Sequence, residues 1–341
     1  MKVAVTGSSG LIGSALVASL RAEGHEVIRL VRRPPRAADE VRWDPRAADA
    51  GLSPAATAPS SRASAASRHP ASSRQPVPAR HAGQSRQAAQ SRPDQLDGID
   101  ACVHLAGAGV ASRRWTASYK AEIRASRVLG TRALAGALAR LDPRPATLVS
   151  ASAIGWYGDT GGSDEDESAS AGKTFLARLV RDWEAAAEPA AEAGIRVVHP
   201  RSGLVLTPDG GLLARMLPLA RRGLCPRFGS GSQAMSWISL SDEIAAIRFL
   251  LDRKDLSGPV NLTAPEPVTN SAFAAALSAA VGRRDHPWLR VPAPVLRLAL
   301  GEASVELLTS ARVRPTRLLE AGYEFRHPDL PAALSAELAS R

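Results

Sequence analysis

Cysteine, aromatic residues and long apolar runs are all scarce in this 341-residue chain. Its two cysteines, Cys102 and Cys225, lie far apart in the sequence, which argues against a disulfide framework and against a zinc site. No uncharged apolar stretch reaches the roughly eighteen residues that a membrane-spanning helix needs, and the N-terminus has the pattern of a strand rather than of a signal peptide. We therefore expect a soluble, cytoplasmic protein with no membrane partner, in which Cys102 is a small core residue.

The positive charge of the chain is concentrated in one segment of low complexity. Residues 46–93 hold seven arginines and one aspartate, a net charge of +6 that leaves only +4 of the chain's +10 for all other residues. The segment consists mainly of Ala, Ser, Pro, Gln and Arg, so it cannot bury enough apolar surface to offset the entropy of ordering. We expect it to be a disordered surface loop.

Arginines of this segment recur at every sixth position from Arg62 to Arg92. A period of six does not keep one face of a helix, and no apolar position repeats with it, so the pattern indicates a tandem expansion rather than a solenoid. No aromatic side chain lies between the arginines to stack on bases, and we therefore do not expect a nucleic-acid partner. A weak, salt-sensitive attraction to phosphates stays open as the alternative.

The first residues of the chain, MKVAVTGSSGLIG, have the pattern of a strand, a glycine-rich turn and the start of a helix. Here Gly7 allows the chain to bend, Gly10 allows backbone to approach a pyrophosphate, and Gly13 allows helix and strand to pack closely. The helix start adds free N–H groups and positive potential. A helical repeat up to Gly24 and a second apolar run, Val27–Val31, complete a βαβ unit. The predicted cofactor contacts in this turn are Gly7, Ser8, Ser9, Gly10, Leu11, Ile12 and Gly13.

Two arginines follow the second predicted strand, at the place where an NAD-binding site usually has a carboxylate on the ribose hydroxyl. A carboxylate would repel the 2′-phosphate of NADP, whereas the guanidinium groups of Arg32 and Arg33 can grip it with parallel hydrogen bonds. The pattern therefore favours NADP as the cofactor. The alternative is that Arg32 and Arg33 only solvate the end of a strand.

A second turn of small residues follows the strand predicted at Ala101–Leu105. Alternating strand and helix patterns place this strand in one parallel sheet with the first, and ligands bind at the carboxyl ends of such strands. We predict that Leu105, Ala106 and Gly107 contact the cofactor. A glycine-rich connection without a ligand is the alternative.

The spacing GxxGxxG and several later stretches resemble the extended, epimerase-like branch of the short-chain dehydrogenases/reductases. The runs HLAGAGVASRRWT at 104–116, SASAIGWYGD at 150–159 and MSWISLSDE at 235–243 are similar to an atypical NAD(P)-dependent subfamily that includes a chloroplast-division relative. The resemblance covers nearly all of the chain except 46–93. It departs at Ala108, where the group often has Glu.

This resemblance implies a doubly wound α/β fold, a Rossmann-type parallel sheet followed by a smaller, mainly helical C-terminal domain. We expect an NADP-binding domain over 1–262, in which part of 203–240 contributes to a substrate cleft. A small C-terminal domain of unknown function is expected over 263–341. The resemblance also implies that Arg201 lies close to the nicotinamide.

Proteins of this superfamily move a proton with a Tyr-x-x-x-Lys pair on one helix face, and the chain lacks that pair. None of its tyrosines has a lysine four residues later; they are Tyr119, Tyr157 and Tyr323. Leu176 and Val180 occupy the two places when the corresponding helix is aligned. The standard proton-transfer groups are therefore expected to be absent.

The resemblance leaves Ser152 and Tyr157 as candidate catalytic residues. Ser152 is similar to the serine that hydrogen-bonds the substrate oxygen, and the alternative is a hydroxyl that serves only its own turn. Tyr157 could place a phenol near the nicotinamide, and the alternative is a buried aromatic side chain.

Other polar residues favour structural interpretations. An acidic run without interleaved histidines indicates a solvated loop rather than a metal site, and it consists of Asp159, Asp164, Glu165, Asp166 and Glu167. Asp242 is expected to begin a helix that either Ser241 or Asp242 caps, and His199 is expected to be a packed residue.

Three functions remain open on these grounds. The chain is an NADP-dependent oxidoreductase or epimerase for a small carbonyl or sugar-like substrate, or an NADP(H)-binding sensor or partner protein that has lost catalysis, or a nucleic-acid-associated protein. The sequence identifies neither the substrate nor the oligomeric state, and fold-level analogy does not decide turnover.

Overall fold

The structure, a computed structural model, describes residues 1–45, 96–110 and 113–339. Its centre is a parallel sheet with the strands β1 Lys2–Thr6, β2 Glu26–Val31, β3 Glu40–Arg42, β4 Ala101–His104, β5 Thr147–Ser150, β6 Ser152–Ala153, β7 Arg196–Ser202 and β12 Gly258–Leu262. The strands follow the order β12-β7-β5-β4-β1-β2-β3, and β6 pairs with β7. The predicted segment 46–93 lies outside the described residues.

Short strands outside this sheet pair in twos. They are β8 Leu204–Leu206, β9 Arg227–Phe228, β10 Ala234–Met235, β11 Trp237–Ser239, β13 Val268–Thr269 and β14 Arg290–Val291. Strand β11 runs parallel to β8, and β14 runs parallel to β9.

Helices cover both faces of the central sheet. They are α1 Leu11–Ala22, α2 Ala117–Ala139, α3 Phe175–Ala185, α4 Glu188–Glu192, α5 Gly211–Arg221, α6 Leu240–Asp252, α7 Asn270–Ala280, α8 Ala293–Leu300, α9 Val305–Leu308, α10 Thr316–Glu320 and α11 Leu330–Ala339. Helices α1 and α6 share one buried apolar cluster with the sheet, and α2 and α4 share another on the opposite face. The doubly wound fold predicted from the sequence is thus confirmed.

A separate apolar core joins the C-terminal helices to residues that follow β7. Trp237 and Phe273 are among its fully buried side chains, and helices α5, α7 and α11 contribute Leu213, Leu277 and Leu334. This helical C-terminal region agrees with the expectation from the sequence. No helix of the described residues is both long and apolar enough to cross a membrane.

The end of the chain also returns to the sheet. The backbone N–H of Thr160 donates to the carbonyl of Ser310 at 2.8 Å, and that of Glu165 donates to the carbonyl of Arg312 at 2.9 Å. The Arg314 N–H donates back to the Glu165 carbonyl at 2.8 Å. Segment 160–165 is therefore held by residues about 150 positions later in the chain.

Strand register aligns the carboxyl ends of the central strands. Thr6 lies opposite Leu30 in β2 and His104 in β4, and His104 lies opposite Ser150 in β5. The turns that follow β1, β2, β4 and β5 consequently meet at one edge of the sheet, where α/β folds bind ligands.

Candidate functional site

The glycine turn after β1 closes against the turn after β4. Gly7 has a φ of +66°, which favours glycine, and a Cβ on it would lie 2.7 Å from the carbonyl carbon of Leu105. A Cβ on Gly13 would lie only 2.2 Å from the Gly7 carbonyl oxygen. Two of the predicted glycines are therefore required by backbone contact, before any ligand is considered.

The start of α1 is a backbone surface. Gly10 precedes the helix in extended conformation and offers no side-chain cap. The first N–H groups of a helix have no intrahelical acceptor, and the helix dipole places positive potential there. A cradle that a Cβ would fill, next to uncapped N–H groups, fits the pyrophosphate of a dinucleotide.

The second turn is tied to the first by Thr6. Its Oγ1 accepts the N–H groups of Leu105 at 3.1 Å and Ala106 at 3.2 Å. Gly107 follows, and a Cβ there would lie 3.3 Å from the Arg127 guanidinium carbon. Arg127 in turn donates to the carbonyl of Ala108 at 2.9 Å. Small residues at this turn thus leave room for an arginine to brace its backbone.

A buried histidine extends this connection to the helices. His104 lies between Thr6 Oγ1, 2.7 Å from Nδ1, and Thr131 Oγ1, 3.0 Å from Nε2. Because Thr6 Oγ1 already accepts two N–H groups, its own hydrogen donates to Nδ1, so Nε2 carries the proton of the neutral ring. Burial lowers the pKa of His104 to about 4, which keeps the ring neutral. Thr131 also accepts the indole N–H of Trp183 at 2.9 Å.

The two arginines after β2 have different surroundings. Arg33 donates twice to the carboxylate of Glu40, with both distances 2.7 Å, and these bonds lower the pKa of Glu40 to about 2. Arg32 is exposed and makes no hydrogen bond or ion pair with any residue that the structure describes. One guanidinium is thus held against the protein and the other extends into solvent.

At the carboxyl ends of β5 and β7, Ser152 and Arg201 meet a carboxylate from α3. The Ser152 hydroxyl donates to Glu184 Oε1 at 2.5 Å. Arg201 donates to the same carboxylate through Nε at 2.8 Å and through Nη2 at 2.9 Å. Ser152 is 5% exposed and Arg201 is 2% exposed. A charged pair this well buried needs its hydrogen bonds, because either charge alone would be strongly destabilised.

Tyr157 lies on the other side of the same arginine. Its hydroxyl accepts from Arg201 Nη1 at 3.1 Å and donates to Asn261 Oδ1 at 2.7 Å. The Arg201 guanidinium also stacks 3.9 Å from the ring centre of Trp156. Burial raises the pKa of Tyr157 to about 12, so the phenol keeps its proton at neutral pH. Both candidate catalytic hydroxyls are therefore committed to protein partners.

The remaining polar residues singled out in the sequence have structural contacts. Asp242 is fully buried and accepts the backbone N–H groups of Arg326 and His327. The cap of α6 is Ser239 rather than Ser241 or Asp242, so that expectation was wrong, because the helix begins at Leu240. Burial lowers the pKa of His199, whose Nδ1 finds no hydrogen-bond partner among the described residues.

The acidic run is only partly a solvated loop. Glu167 is buried and accepts the N–H of Asn261 at 2.9 Å, and Asp164 pairs with Arg312 and Arg314. No group of three or more His, Cys, Asp or Glu side chains that could hold a metal ion occurs in the described part of the chain. The expectation of a solvated loop was wrong for Glu167, because the returning C-terminal segment covers it.

Leu176 and Val180, at the two places of the missing pair, are buried on α3. A Cβ on Gly155 would lie 3.2 Å from the Leu176 Cβ, so this helix packs closely on the turn after β6. Glu184, Asn261 and Glu40 were missed in the sequence. No local pattern marks them, because their partners lie on other elements.

Glu243 is a further buried acid near this end of the sheet. Ser202, the last residue of β7, donates to its Oε1 at 2.6 Å, and Oε2 has no hydrogen-bond partner among the described residues. Burial raises the pKa of Glu243 to about 7. It lies on the face of the sheet that α6 covers, opposite Arg201.

Known proteins resemble the chain along its whole length. A family model described as "NAD dependent epimerase/dehydratase family" matches residues 3–262, and one described as "Domain of unknown function (DUF1731)" matches 291–337. An epimerase family protein of Mycobacterium bovis is 42% identical over 97% of this chain and 96% of its own length. The chloroplastic SDR39U1 homolog of Arabidopsis thaliana is 32% identical over 98% of this chain and 86% of its own length.

Solved structures agree with this likeness. The human epimerase family protein SDR39U1, crystallised with NADPH, superposes with a TM-score of 0.81 at 30% identity, and all of both chains is covered. A nucleoside-diphosphate sugar epimerase from Corynebacterium glutamicum superposes with a TM-score of 0.72 at 33% identity. That match covers 99% of this chain and 58% of the other.

Proposed function

Because the chain belongs to the NAD dependent epimerase/dehydratase family, we propose that it binds NADP(H) and acts as an oxidoreductase or epimerase on a small carbonyl or sugar-like substrate. The observation that carries this proposal is the cradle between the turns after β1 and β4. Gly7 and Gly13 admit no side chain there, and the uncapped start of α1 offers N–H groups. The proposed cofactor contacts are those predicted from the sequence. We further propose that residues 1–262 form the cofactor-binding domain and that the protein is cytoplasmic.

The preference for NADP rests on Arg32. Its guanidinium is exposed and has no partner among the described residues, whereas Arg33 already pairs with Glu40. We assign the main contact with a 2′-phosphate to Arg32 and a supporting positive potential to Arg33. The NADPH in the crystal structure of the human relative supports this choice.

Thermal unfolding with NADPH and with NADH tests the cofactor proposal. We expect NADPH to raise the melting temperature more than NADH does, because a ligand that binds the folded state more tightly stabilises it more. The Arg32→Ala variant should lose most of this difference, and Arg32→Ala with Arg33→Ala should lose all of it. Arg132→Ala, an exposed arginine on α2, is the matched control. Equal stabilisation of the unmutated protein by both cofactors contradicts the assignment.

A nicotinamide cofactor supplies hydride transfer when it is bound. The protein itself must then accept the proton that the substrate hydroxyl releases. Ser152 Oγ donates its hydrogen to Glu184, so its lone pairs remain available to accept a hydrogen bond from such a hydroxyl. We assign the proton-accepting role to Glu184 through Ser152, with Arg201 holding the carboxylate in place. Tyr157 positions Arg201, since its phenol stays protonated.

Turnover is tested by following nicotinamide absorbance with a panel of aldehydes, ketones and nucleotide sugars. We expect one of these classes to react, and Ser152→Ala and Glu184→Gln to abolish the reaction while NADPH binding persists. Activity that survives in Glu184→Gln contradicts the assigned proton acceptor.

A non-catalytic NADP(H) sensor is the second candidate. It is favoured by one observation: Ser152 and Tyr157 are each only 5% exposed and both hydroxyl hydrogens are used within the protein. NADPH binding without turnover of any substrate class in the panel would select this function over the first.

A further inference from the structure

Two neighbouring loops on the C-terminal core expose large apolar side chains. The first surrounds the end of α5, where Leu219 is 40% exposed and Leu224 is 48% exposed. The second precedes β14 and carries Trp288, which is 74% exposed. We call residues 219–224 and 283–290 together the basic loop pair. One exposed apolar side chain is common, but several on adjoining segments with a polar rim are typical of an interaction surface.

Direct hydrogen bonds hold these two loops side by side. Arg283 Nε donates to the Arg221 carbonyl at 2.8 Å. The Arg227 N–H donates to the Leu289 carbonyl at 3.0 Å, where β9 pairs with β14. The N–H of Leu224 donates to the Leu219 carbonyl at 2.9 Å, which closes the end of α5. The segments that carry Leu219, Leu224 and Trp288 are therefore tied to each other rather than independent.

The same surface is strongly positive. Its exposed arginines are Arg221, Arg222, Arg283, Arg284 and Arg290. The one carboxylate within the basic loop pair is Asp285, and it binds Arg227 Nη2 at 2.7 Å. No carboxylate of these loops remains to neutralise the exposed arginines.

We propose that the basic loop pair binds the surface of an anionic lipid membrane. Indole and leucine side chains enter the boundary between headgroups and acyl chains, and flanking arginines bind lipid phosphates. A single-stranded nucleic acid fits less well, because it needs several aromatic platforms and gives Leu219 and Leu224 no partner. This surface contact needs no spanning helix and is independent of the cofactor site. It departs from the expectation of no membrane partner, which rested on the lack of a spanning segment in the sequence.

Vesicle co-sedimentation of the full chain tests the proposal. We expect binding to equal mixtures of phosphatidylcholine and phosphatidylglycerol, little binding to phosphatidylcholine alone, and release at high salt. Trp288→Ala should remove most of the binding. Arg221→Gln with Arg222→Gln should weaken it more than tenfold, since each arginine near an anionic surface contributes about fivefold.

Matched controls lie on α2, away from the loops. Leu129→Ala, at a leucine that is 60% exposed, and Arg132→Gln should bind vesicles as the unmutated chain does. All variants should unfold cooperatively on heating, near the melting temperature of the unmutated chain, which shows that they fold. Absence of vesicle binding, equal binding to neutral vesicles, or undiminished binding by the loop variants overturns the proposal. Capture of polyuridylate or polyglutamate in place of vesicles also overturns it and assigns the surface to that polymer class.

Discussion

The two ends of the proposed cofactor crevice differ in the groups that form them. At the phosphate end, comprising the turns after β1 and β4, backbone atoms and small residues form the surface, and Thr6 and His104 brace it from beneath. At the reaction end, the Glu184 carboxylate joins Ser152 to Arg201, Arg201 donates directly to the Tyr157 hydroxyl, and that hydroxyl donates to Asn261. The phosphate end is thus formed mainly by backbone, whereas the reaction end is formed by side chains whose hydroxyl hydrogens already have protein acceptors.

The strongest test of this contrast is to fill the phosphate end. In Gly13→Ala, the new Cβ would lie 2.2 Å from the Gly7 carbonyl oxygen, so the turn must move. We expect no measurable stabilisation by NADPH in thermal unfolding. Gly130→Ala, a glycine inside α2 with open space around its Cβ position, is the control and should shift stability by at most about 1 kcal/mol. Normal NADPH binding by Gly13→Ala would mean that the turn is not the cofactor cradle.

A smaller effect is expected when the ion pair of Arg201 with Glu184 at the reaction end is removed. Arg201→Met leaves the Glu184 carboxylate with no positive partner, and we expect a loss of about 3 kcal/mol in the free energy of unfolding by urea. The exposed pair of Arg124 with Asp182 is the matched control, and Arg124→Met should cost less than about 1 kcal/mol.

NADPH binding by Arg201→Met shows whether the two ends of the crevice depend on each other. If the ends are independent, NADPH should still stabilise Arg201→Met, because the glycine turns are unchanged. Complete loss of that stabilisation would instead place Arg201 in direct contact with the cofactor, as the sequence resemblance implies. The two outcomes therefore separate a bracing role from a binding role.

Glu243 gives an effect that depends on pH. Its pKa in the folded protein is raised to about 7 from 4.5 by burial, so the folded state holds a proton that the unfolded state releases. This contribution is fully present below about pH 4.5 and is lost as the pH rises through 7. We expect the free energy of unfolding of Glu243→Gln to exceed that of the unmutated protein by at most about 3 kcal/mol at pH 8, since each pKa unit corresponds to about 1.4 kcal/mol. Exposed Glu192→Gln is the control, and equal pH profiles of the unmutated chain and Glu243→Gln would contradict this interpretation.

Sequence patterns predict the elements that local rules govern. The unit of β1, α1 and β2 follows from apolar periodicity and from Gly7, Gly13 and Gly24, all near the positions that the patterns indicated. The turn after β4 was also predicted from its small residues. These features depend on residues within one or two turns of each other, which is the range over which periodicity is informative.

The reaction end could not be predicted in the same way. Glu184 meets Ser152 across 32 residues, and Asn261 meets Tyr157 across 104. In the sequence, Glu184 is one carboxylate of an amphipathic helix and Asn261 one polar residue in a strand. Likewise, the pairing of Arg33 with Glu40 depends on β3 lying next to β2, which no pattern of the sequence signals. Long-range side-chain pairing, rather than secondary structure, limits what the residues reveal.

The return of the C-terminal segment has a consequence for the order of synthesis. Asn261, which binds Tyr157, donates its own side-chain N–H to the Arg314 carbonyl at 2.8 Å, and residues 310–314 hold 160–165. During translation the chain leaves the ribosome from its N-terminus, and domains fold as their residues emerge. All residues of the two glycine turns have left the ribosome once residue 110 has emerged, long before residue 314 does. In a nascent chain, the residues of the proposed cradle are consequently present well before those that surround Tyr157.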